Sequence, residues 1–368
     1  MGVLVGVVPV VGATAGAGVV SATRSARDPG ELVRKTFYRQ SVDWSACTDA
    51  GEPARAQCGT VQVPLNYAHP EGAVLELAVS RLPATGPGLR LGSLAVNFGG
   101  PGISGITELA GRTQDLAGLN RRYDLIGFDP RGVARSSPVN CGDLGSVTDS
   151  AQLAQACAHF SGWLLPFVGT PNAARDLDVI RQAVGDDRLA YLGFSYGSRL
   201  GAVYAHEFPS RAGRMVLDGV PDPTLDDAGT ALAQARGFQK ALTDFAADCA
   251  AHNCPMPGGT SAQVLAGITK DAHDLDRTAL PTTSGALDRS SYLQGLENAL
   301  YSKDNWPYLR QAIGEVHSGY GDLMMRLAYP ADLGTAVTDW PGPPQANSET
   351  AKLAIDCRDS AQRFTQAQ

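Results

Sequence analysis

The amino-acid sequence predicts an α/β fold in which a mainly parallel sheet is covered by helices. The first observation is a set of four short apolar runs separated by helix-like stretches, a pattern typical of βαβ units. These runs are SLAVNF (93–98), YDLIGFD (123–129), RLAYLGF (188–194) and RMVLDGV (214–220). The second is composition, because 43% of the 368 residues are apolar, which is enough for a sizeable core. The third is a change after Pro223, beyond which the sequence shows long helical patterns and no convincing strand.

The N-terminal 22 residues contain no charged side chain, and the first charge is that of Arg24. Their apolar run ends in V-S-A, which indicates a secretory signal peptide cleaved near Ala22. A membrane anchor is the alternative, although glycines and a proline in the run are poor components of a spanning helix. We therefore expect a secreted protein without stable membrane association, in which the polar residues 23–44 form an N-terminal extension.

Charge and cysteine content exclude several kinds of partner. The formal net charge is -7 and no run of lysine and arginine occurs, so we expect no nucleic acid partner. Six of the seven cysteines fall into near pairs, which in an exported chain favours local disulfides. No C-x-x-C motif occurs, so we expect no zinc or redox site and no other cofactor. The near pairs are Cys47/Cys58, Cys141/Cys157 and Cys249/Cys254, and Cys357 is left over.

The expected core extends from residue 45 to residue 222. GTVQVPLNY and AVLELAVSRL alternate apolar and polar residues, which predicts a β-hairpin that turns at HPEG (69–72). The stretch TPNAARDLDVIRQAVG predicts a helix with Thr170 as its N-cap, Pro171 at its first position and Gly185 at its end.

Residues 223–368 are expected to form a helical region placed over the core. The apolar spacing there predicts helices, with no strand between them. They cover residues 228–249, 261–276, 291–301 and 306–327.

The motif G-F-S-Y-G at residues 193–197 lies between a strand candidate and a helix candidate. A strand–turn–helix of this kind forms a strained elbow that presents a serine hydroxyl above the edge of the sheet. Gly193 and Gly197 would let the turn close. The motif therefore predicts that Ser195 is a nucleophile, and an ordinary loop serine is the alternative.

The second chemistry-bearing motif is N-F-G-G-P-G at residues 97–102, directly after a strand candidate. Acyl transfer builds negative charge on the carbonyl oxygen, which preorganised backbone N–H groups must stabilise. One N–H would come from Tyr196, the residue after the nucleophile, and the other from this glycine loop. Pro101 has no N–H, so the loop donor is Gly99 or Gly100, and we favour Gly100. A plain turn is the alternative.

The motif D-P-R-G at residues 129–132 follows another strand candidate. Arg131 could pair with Asp129 or with a neighbouring loop at the rim of a site. A purely structural role is the interpretation that we favour.

Five stretches resemble the secreted tripeptidyl aminopeptidases, which are α/β-hydrolase serine exopeptidases related to the proline iminopeptidases. The stretches are NFGGPGISG, YDLIGFDPRGVARSSPVNC, AARDLDVIR, LGFSYGSRLGAVYA and MVLDGVPDP. The resemblance covers about residues 45–360 and implies an α/β-hydrolase fold with a helical lid. It further implies an exported enzyme that removes di- or tripeptides from the N-termini of peptide substrates. Ser195 would be the nucleophile, and Gly100 and Tyr196 the oxyanion donors. Esterases are also related, so a carboxylesterase is an alternative.

The resemblance implies that an acid follows the lid and that a histidine lies near the C-terminus, in the order Ser, acid, His. No such pattern follows AIDCRDS, so we expect the last core strands of the family to be missing from this sequence. Asp218 and His317 are the remaining acid and base candidates, both weak. His206 lies eleven residues after Ser195 on one expected helix, roughly 16 Å along its axis, which is out of reach. The other histidines precede the serine or lie in a cysteine loop or on a charged helix face: His69, His159, His252 and His273.

These observations suggest a truncated family member. A missing C-terminal segment would then hold the acid, the histidine and a partner for Cys357. The third functional hypothesis is therefore a catalytically dead remnant or binding module.

Overall fold

A computed structural model describes residues 29–48, 53–143, 149–222, 224–329 and 347–360. The expected signal peptide, residues 1–22, lies outside the described residues. None of the described helices combines the length and apolar character that crossing a membrane requires.

A seven-stranded sheet forms the centre of the described chain, in the order β1-β2-β3-β5-β4-β6-β7. The strands β5, β4, β6 and β7 pair in parallel, and β1 to β3 extend the sheet in antiparallel pairing. The strands are β1 (Ser45–Ala46), β2 (Gln57–Pro64), β3 (Val74–Leu82), β4 (Ser93–Asn97), β5 (Asp124–Phe128), β6 (Leu189–Phe194) and β7 (Ala212–Asp218).

The four apolar runs that predicted parallel strands are β4, β5, β6 and β7, which confirms the predicted α/β fold. The predicted hairpin is also confirmed, since β2 and β3 pair antiparallel along their length. In the turn between them, His69 donates its N–H to the carbonyl of Asn66, and Gly72 donates to that of His69.

Helices pack around this sheet. They are α1 (Pro29–Thr36), α2 (Gly105–Gly111), α3 (Ala117–Asn120), α4 (Ser150–Ser161), α5 (Thr170–Ala183) and α6 (Tyr196–Glu207), with a short 3-10 helix at Leu165–Phe167. Part of the expected N-terminal extension belongs to this core, because Val33 and Phe37 are buried in its main hydrophobic cluster. These side chains are four residues apart and therefore lie on one face of the chain.

Five further helices form a second hydrophobic cluster, which includes Phe245, Ile268 and Leu309. We call residues 227–328 the helical unit. Its helices are α7 (Asp227–Ala251), α8 (Ser261–Arg277), α9 (Arg289–Leu300), α10 (Trp306–His317) and α11 (Asp322–Ala328), with a 3-10 helix at Lys303–Asn305. The helices predicted at 228–249, 261–276 and 291–301 are confirmed.

Two predictions for the helical unit are wrong. The helix expected over 306–327 is two helices, because the chain turns after His317 and Gly319 takes a φ of 90° that only glycine adopts freely. A small hairpin of β8 (Leu280–Thr282) and β9 (Gly285–Leu287) interrupts a region expected to contain no strand. Strands of three residues are too short to show a recognisable alternation.

The last described helix, α12 (Ser348–Asp359), packs into the main hydrophobic cluster of the core. Ala351 and Ile355 are buried in the main cluster, and the side chain of Asn347 donates to the carbonyl of Gly132. The expected helical region 223–368 therefore includes a helix that belongs to the core.

The three predicted disulfides are confirmed. They join Cys47 to Cys58, Cys141 to Cys157 and Cys249 to Cys254. Cys357 on α12 is a free, exposed thiol.

Candidate active site

Ser195 forms the turn between β6 and α6 and has a strained backbone. Its φ of 51° and ψ of -118° lie in a region that residues with a side chain rarely adopt. The N–H of Ser195 donates to the carbonyl oxygen of Asp218 at 2.8 Å, which fixes the turn beside the end of β7. The residue is exposed, so the elbow presents the hydroxyl at the carboxyl edge of the parallel strands.

Two glycines allow this turn to close, as predicted from the motif. A Cβ atom on Gly193 would lie 2.4 Å from the carbonyl oxygen of Gly197, and one on Gly197 would lie 2.5 Å from that of Asn97. Neither position can therefore carry a side chain without displacing backbone. The hydroxyl of Tyr191 also donates to the carbonyl of Gly197 at 2.7 Å, which holds the first turn of α6.

The N-F-G-G-P-G loop contacts the elbow directly. A Cβ atom on Gly99 would lie 3.1 Å from the Cβ of Ser195 and 3.5 Å from the backbone nitrogen of Tyr196. The N–H of Gly99 donates to the side-chain oxygen of Asn97 at 3.0 Å, so it is already used. In the part of the chain that the structure describes, the N–H groups of Gly100 and Tyr196 donate no hydrogen bond to a protein acceptor. This arrangement favours Gly100 over Gly99 as the loop donor.

The side chain of Tyr196 lies in a buried network that the sequence reasoning missed. Its hydroxyl contacts the hydroxyl of Thr170 at 2.7 Å, and burial raises the pKa of Tyr196 above its ordinary value. Thr170 in turn donates its N–H to Asp359 at 2.8 Å. Thr170 is the first residue of α5 and not its predicted N-cap, because the carboxylate of Asp359 accepts the terminal N–H in place of a local cap. No local pattern could have indicated a contact between residues 189 positions apart.

Arg131 of the D-P-R-G motif has a structural role. Its buried guanidinium donates two hydrogen bonds to Asp176, at 2.6 and 2.5 Å, and a further bond to the carbonyl of Leu65 at 2.9 Å. It does not pair with Asp129, whose carboxylate accepts the N–H groups of Ile106 and Arg135. These contacts support the structural interpretation favoured from the sequence.

The weak acid candidate Asp218 lies beside the nucleophile. It is the last residue of β7, is exposed, and is paired in register with Phe194. Its backbone carbonyl holds the N–H of Ser195. This position is compatible with an acid but shows no contact between its carboxylate and a histidine.

The weak base candidate His317 is engaged elsewhere. Its Nδ1 lies 3.2 Å from Asp271, so the pair joins α10 to α8 inside the helical unit. No described hydrogen bond or ion pair connects Ser195 to this or any other histidine within the described ranges. His206 lies on α6, as predicted, and His252 hydrogen-bonds the carbonyl of Asp248 next to the Cys249–Cys254 disulfide. Among the described residues, no three His, Cys, Asp or Glu side chains are grouped to hold a metal ion.

Comparison with known proteins gives matches over most of the chain. Residues 99–357 match the family model of the alpha/beta hydrolase fold. The chain is 38% identical over 324 residues to Serine protease Hip1 of Mycobacterium tuberculosis (strain ATCC 25618 / H37Rv), covering 78% of this chain and 62% of that protein. It is 42% identical over 213 residues to Tripeptidyl aminopeptidase of Streptomyces lividans, covering 51% of this chain and 40% of that protein. It is 35% identical over 321 residues to Carboxylesterase B of the same M. tuberculosis strain, covering 77% and 60%. The chain therefore spans less than two thirds of the length of these relatives.

Proposed function

The chain belongs to the α/β hydrolase family, and on that premise we propose that it is a secreted serine peptidase that removes di- or tripeptides from peptide N-termini. The observation that carries the proposal is the strained elbow at Ser195, which Gly99 of the N-F-G-G-P-G loop approaches directly. Relatives that are named as a serine protease and a tripeptidyl aminopeptidase support the peptidase assignment.

In the proposed reaction, the Ser195 hydroxyl attacks the scissile carbonyl and forms an acyl-enzyme. The N–H groups of Gly100 and Tyr196 stabilise the negative charge that develops on the carbonyl oxygen. A histidine base takes the proton of Ser195 and passes it to the leaving amine, and water then hydrolyses the acyl-enzyme. We assign the base to none of the described histidines, because none of them bonds to Ser195 in the described contacts.

Secretion is part of the proposal. Three disulfides of short sequence separation are typical of proteins that fold in an oxidising compartment. Each closes a loop within one part of the described fold, which stabilises the folded chain outside the cell.

A carboxylesterase is the second candidate function. The relative named Carboxylesterase B supports it, and the same elbow and oxyanion donors serve ester and amide substrates alike. A third candidate is a binding module without catalytic activity, and the experiments below distinguish it from both enzymes.

Labelling with a fluorophosphonate tests for an activated serine. We expect the wild-type chain to be labelled and Ser195→Ala to lose the label, because the probe reacts only with an activated hydroxyl. Ser137→Ala is the matched control, since Ser137 also has a φ of 51° but lies outside the elbow. A folded wild-type chain that takes no label would contradict the proposed serine hydrolase.

Substrate preference separates the two enzymes. We expect turnover of a tripeptide amide with a free N-terminus and little turnover of the same peptide with an acetylated N-terminus. Equal rates on both peptides would contradict the aminopeptidase. Labelling together with turnover of a p-nitrophenyl ester alone would establish the esterase.

A further inference from the structure

A buried chain of hydrogen bonds connects the nucleophile elbow to the last described helix. We propose that Thr170 and Asp359 are positioning residues that hold the side chain of Tyr196 and thereby aim its backbone N–H at the oxyanion. The inference rests on the proposed function, because it concerns the oxyanion donor of that same site.

The direction of each hydrogen bond follows from the chemistry of the groups. Thr170 donates its hydroxyl proton to one oxygen of Asp359, and its N–H donates to the other oxygen at 2.8 Å. A threonine hydroxyl has one proton, and an ionised carboxylate only accepts. The hydroxyl of Tyr196 must therefore donate to Thr170, across 2.7 Å. The carboxylate of Asp359 thus fixes the orientation of both hydroxyl groups.

The surroundings make this network rigid. Thr170 is 1% exposed and Tyr196 is 7% exposed, so water does not compete for their hydrogen bonds. The carboxylate of Asp359 also lies at the N-terminus of the 14-residue helix α5, where the helix dipole favours a negative charge. A guanidinium nitrogen of Arg199, on the helix that follows the nucleophile, lies 3.8 Å from the same carboxylate. Asp359 therefore joins α5, α6 and α12.

Gly169 leaves room for the approach of Asp359 to α5. A Cβ atom on Gly169 would lie 2.9 Å from one oxygen of Asp359, closer than such atoms come in folded proteins. This fit allows the carboxylate to reach the first N–H of the helix.

The network adds an anchor to Tyr196, whose own N–H makes no backbone hydrogen bond in the described chain. The peptide between Ser195 and Tyr196 also follows a residue with a strained backbone. The carbonyl of the same peptide, on Ser195, accepts hydrogen bonds from the N–H and the hydroxyl of Ser198. The buried side chain of Tyr196 adds a second restraint on the direction of the N–H, from the other side of the peptide. An oxyanion donor stabilises the transition state only when it is preorganised, so loosening the side chain should reduce the chemical rate.

Selective isotope labelling can observe this N–H without any turnover. The sequence contains two Ser–Tyr pairs, Ser195–Tyr196 and Ser291–Tyr292. A full chain labelled with carbonyl-¹³C serine and ¹⁵N tyrosine therefore gives two amide signals in an HNCO spectrum, and Ser195→Ala identifies the first by its loss. We expect Thr170→Val and Asp359→Asn each to shift the Ser195–Tyr196 signal by more than its linewidth. The Ser291–Tyr292 signal should stay in place.

Two further variants separate positioning from general stability. Thr350→Val is the matched control, because Thr350 lies on α12 and bonds the carbonyl of Asn347 at 3.0 Å without contacting Tyr196. We expect it to leave the Ser195–Tyr196 signal unchanged. Thr170→Ser keeps the hydroxyl and should restore the wild-type signal.

Kinetics give the functional consequence. We expect Thr170→Val to lower kcat about tenfold with KM unchanged, because only transition-state stabilisation is lost, and Thr170→Ser to recover the rate. An unmoved Ser195–Tyr196 signal in Thr170→Val, or an equal shift in Thr350→Val, would overturn the positioning role. A chain without turnover would instead refute the proposed function, while the amide signal would still decide the positioning.

Discussion

The backbone of Ser195 carries a cost in stability that its function explains. A φ of 51° with a ψ of -118° is accessible to glycine and strained for serine. We expect Ser195→Gly to raise the free energy of unfolding by about 1 kcal/mol, since it removes this strain. Urea denaturation with intact disulfides would measure the change. Ser195→Ala retains the strain and should unfold like the wild type, so an equal gain in both variants would contradict this explanation.

Arg131 differs from Ser195 in that its buried charge stabilises the fold and has no part in the proposed reaction. We expect Arg131→Met to lower the free energy of unfolding by about 3–5 kcal/mol at pH 7, because Asp176 would remain buried without its partner. Lys240→Met is the control, since Lys240 and Asp244 form an exposed pair whose loss should cost about 0.5 kcal/mol or less.

The pH dependence of the Arg131→Met variant has a defined sign. Burial raises the pKa of the Asp176 carboxyl even beside Arg131, and without the guanidinium the increase should be greater. When the pKa of a carboxyl is higher in the folded protein than in the unfolded one, the folded protein binds the proton more tightly. The free energy of unfolding therefore falls as the pH rises above about 4. We therefore expect the loss of stability in Arg131→Met to be smaller at pH 4 than at pH 7. A loss that is equal at both values would mean that Asp176 is not left as an unpaired charge.

At the scale of elements, local sequence patterns predicted the strands, turns and helices that neighbouring residues determine. β4 to β7 were found from apolar runs that end at glycines or turns, and the elbow and the glycine loop were found because their glycines are adjacent in sequence. The break between α10 and α11 was missed because the apolar period continues through it, although Gly319 marked it. The role of Asp359 could not be predicted, because its contact with Thr170 depends on how α12 returns to the core.

At the scale of the whole molecule, one edge of the sheet is open to solvent in the described chain. The edge strand β7 pairs with β6 alone among the described strands, and Val216 is 60% exposed. An exposed edge with apolar side chains is a template for pairing with another chain. We therefore expect the purified chain to self-associate at micromolar concentration, and Val216→Lys to shift it towards monomer.

Sedimentation velocity over a concentration series would measure this association. Val74→Lys is the control, since Val74 is 47% exposed but lies on the interior strand β3, which pairs with β2 and, over Val79–Leu82, with β5. A wild-type chain that remains monomeric throughout the series would show that the β7 edge does not template association.

The return of α12 to the core has a consequence for proteolysis. The helical unit lies between two parts of the chain that both contribute to the main core, and each described disulfide closes within one part. A protease that cuts inside the helical unit, but outside the loop closed by Cys249 and Cys254, would separate these parts covalently. The smaller fragment would nevertheless stay bound, through Asp359 to Thr170, Asn347 to Gly132 and Arg358 to the carbonyl of Pro166. The nicked protein would then behave as a two-fragment complex whose pieces part only under denaturing conditions.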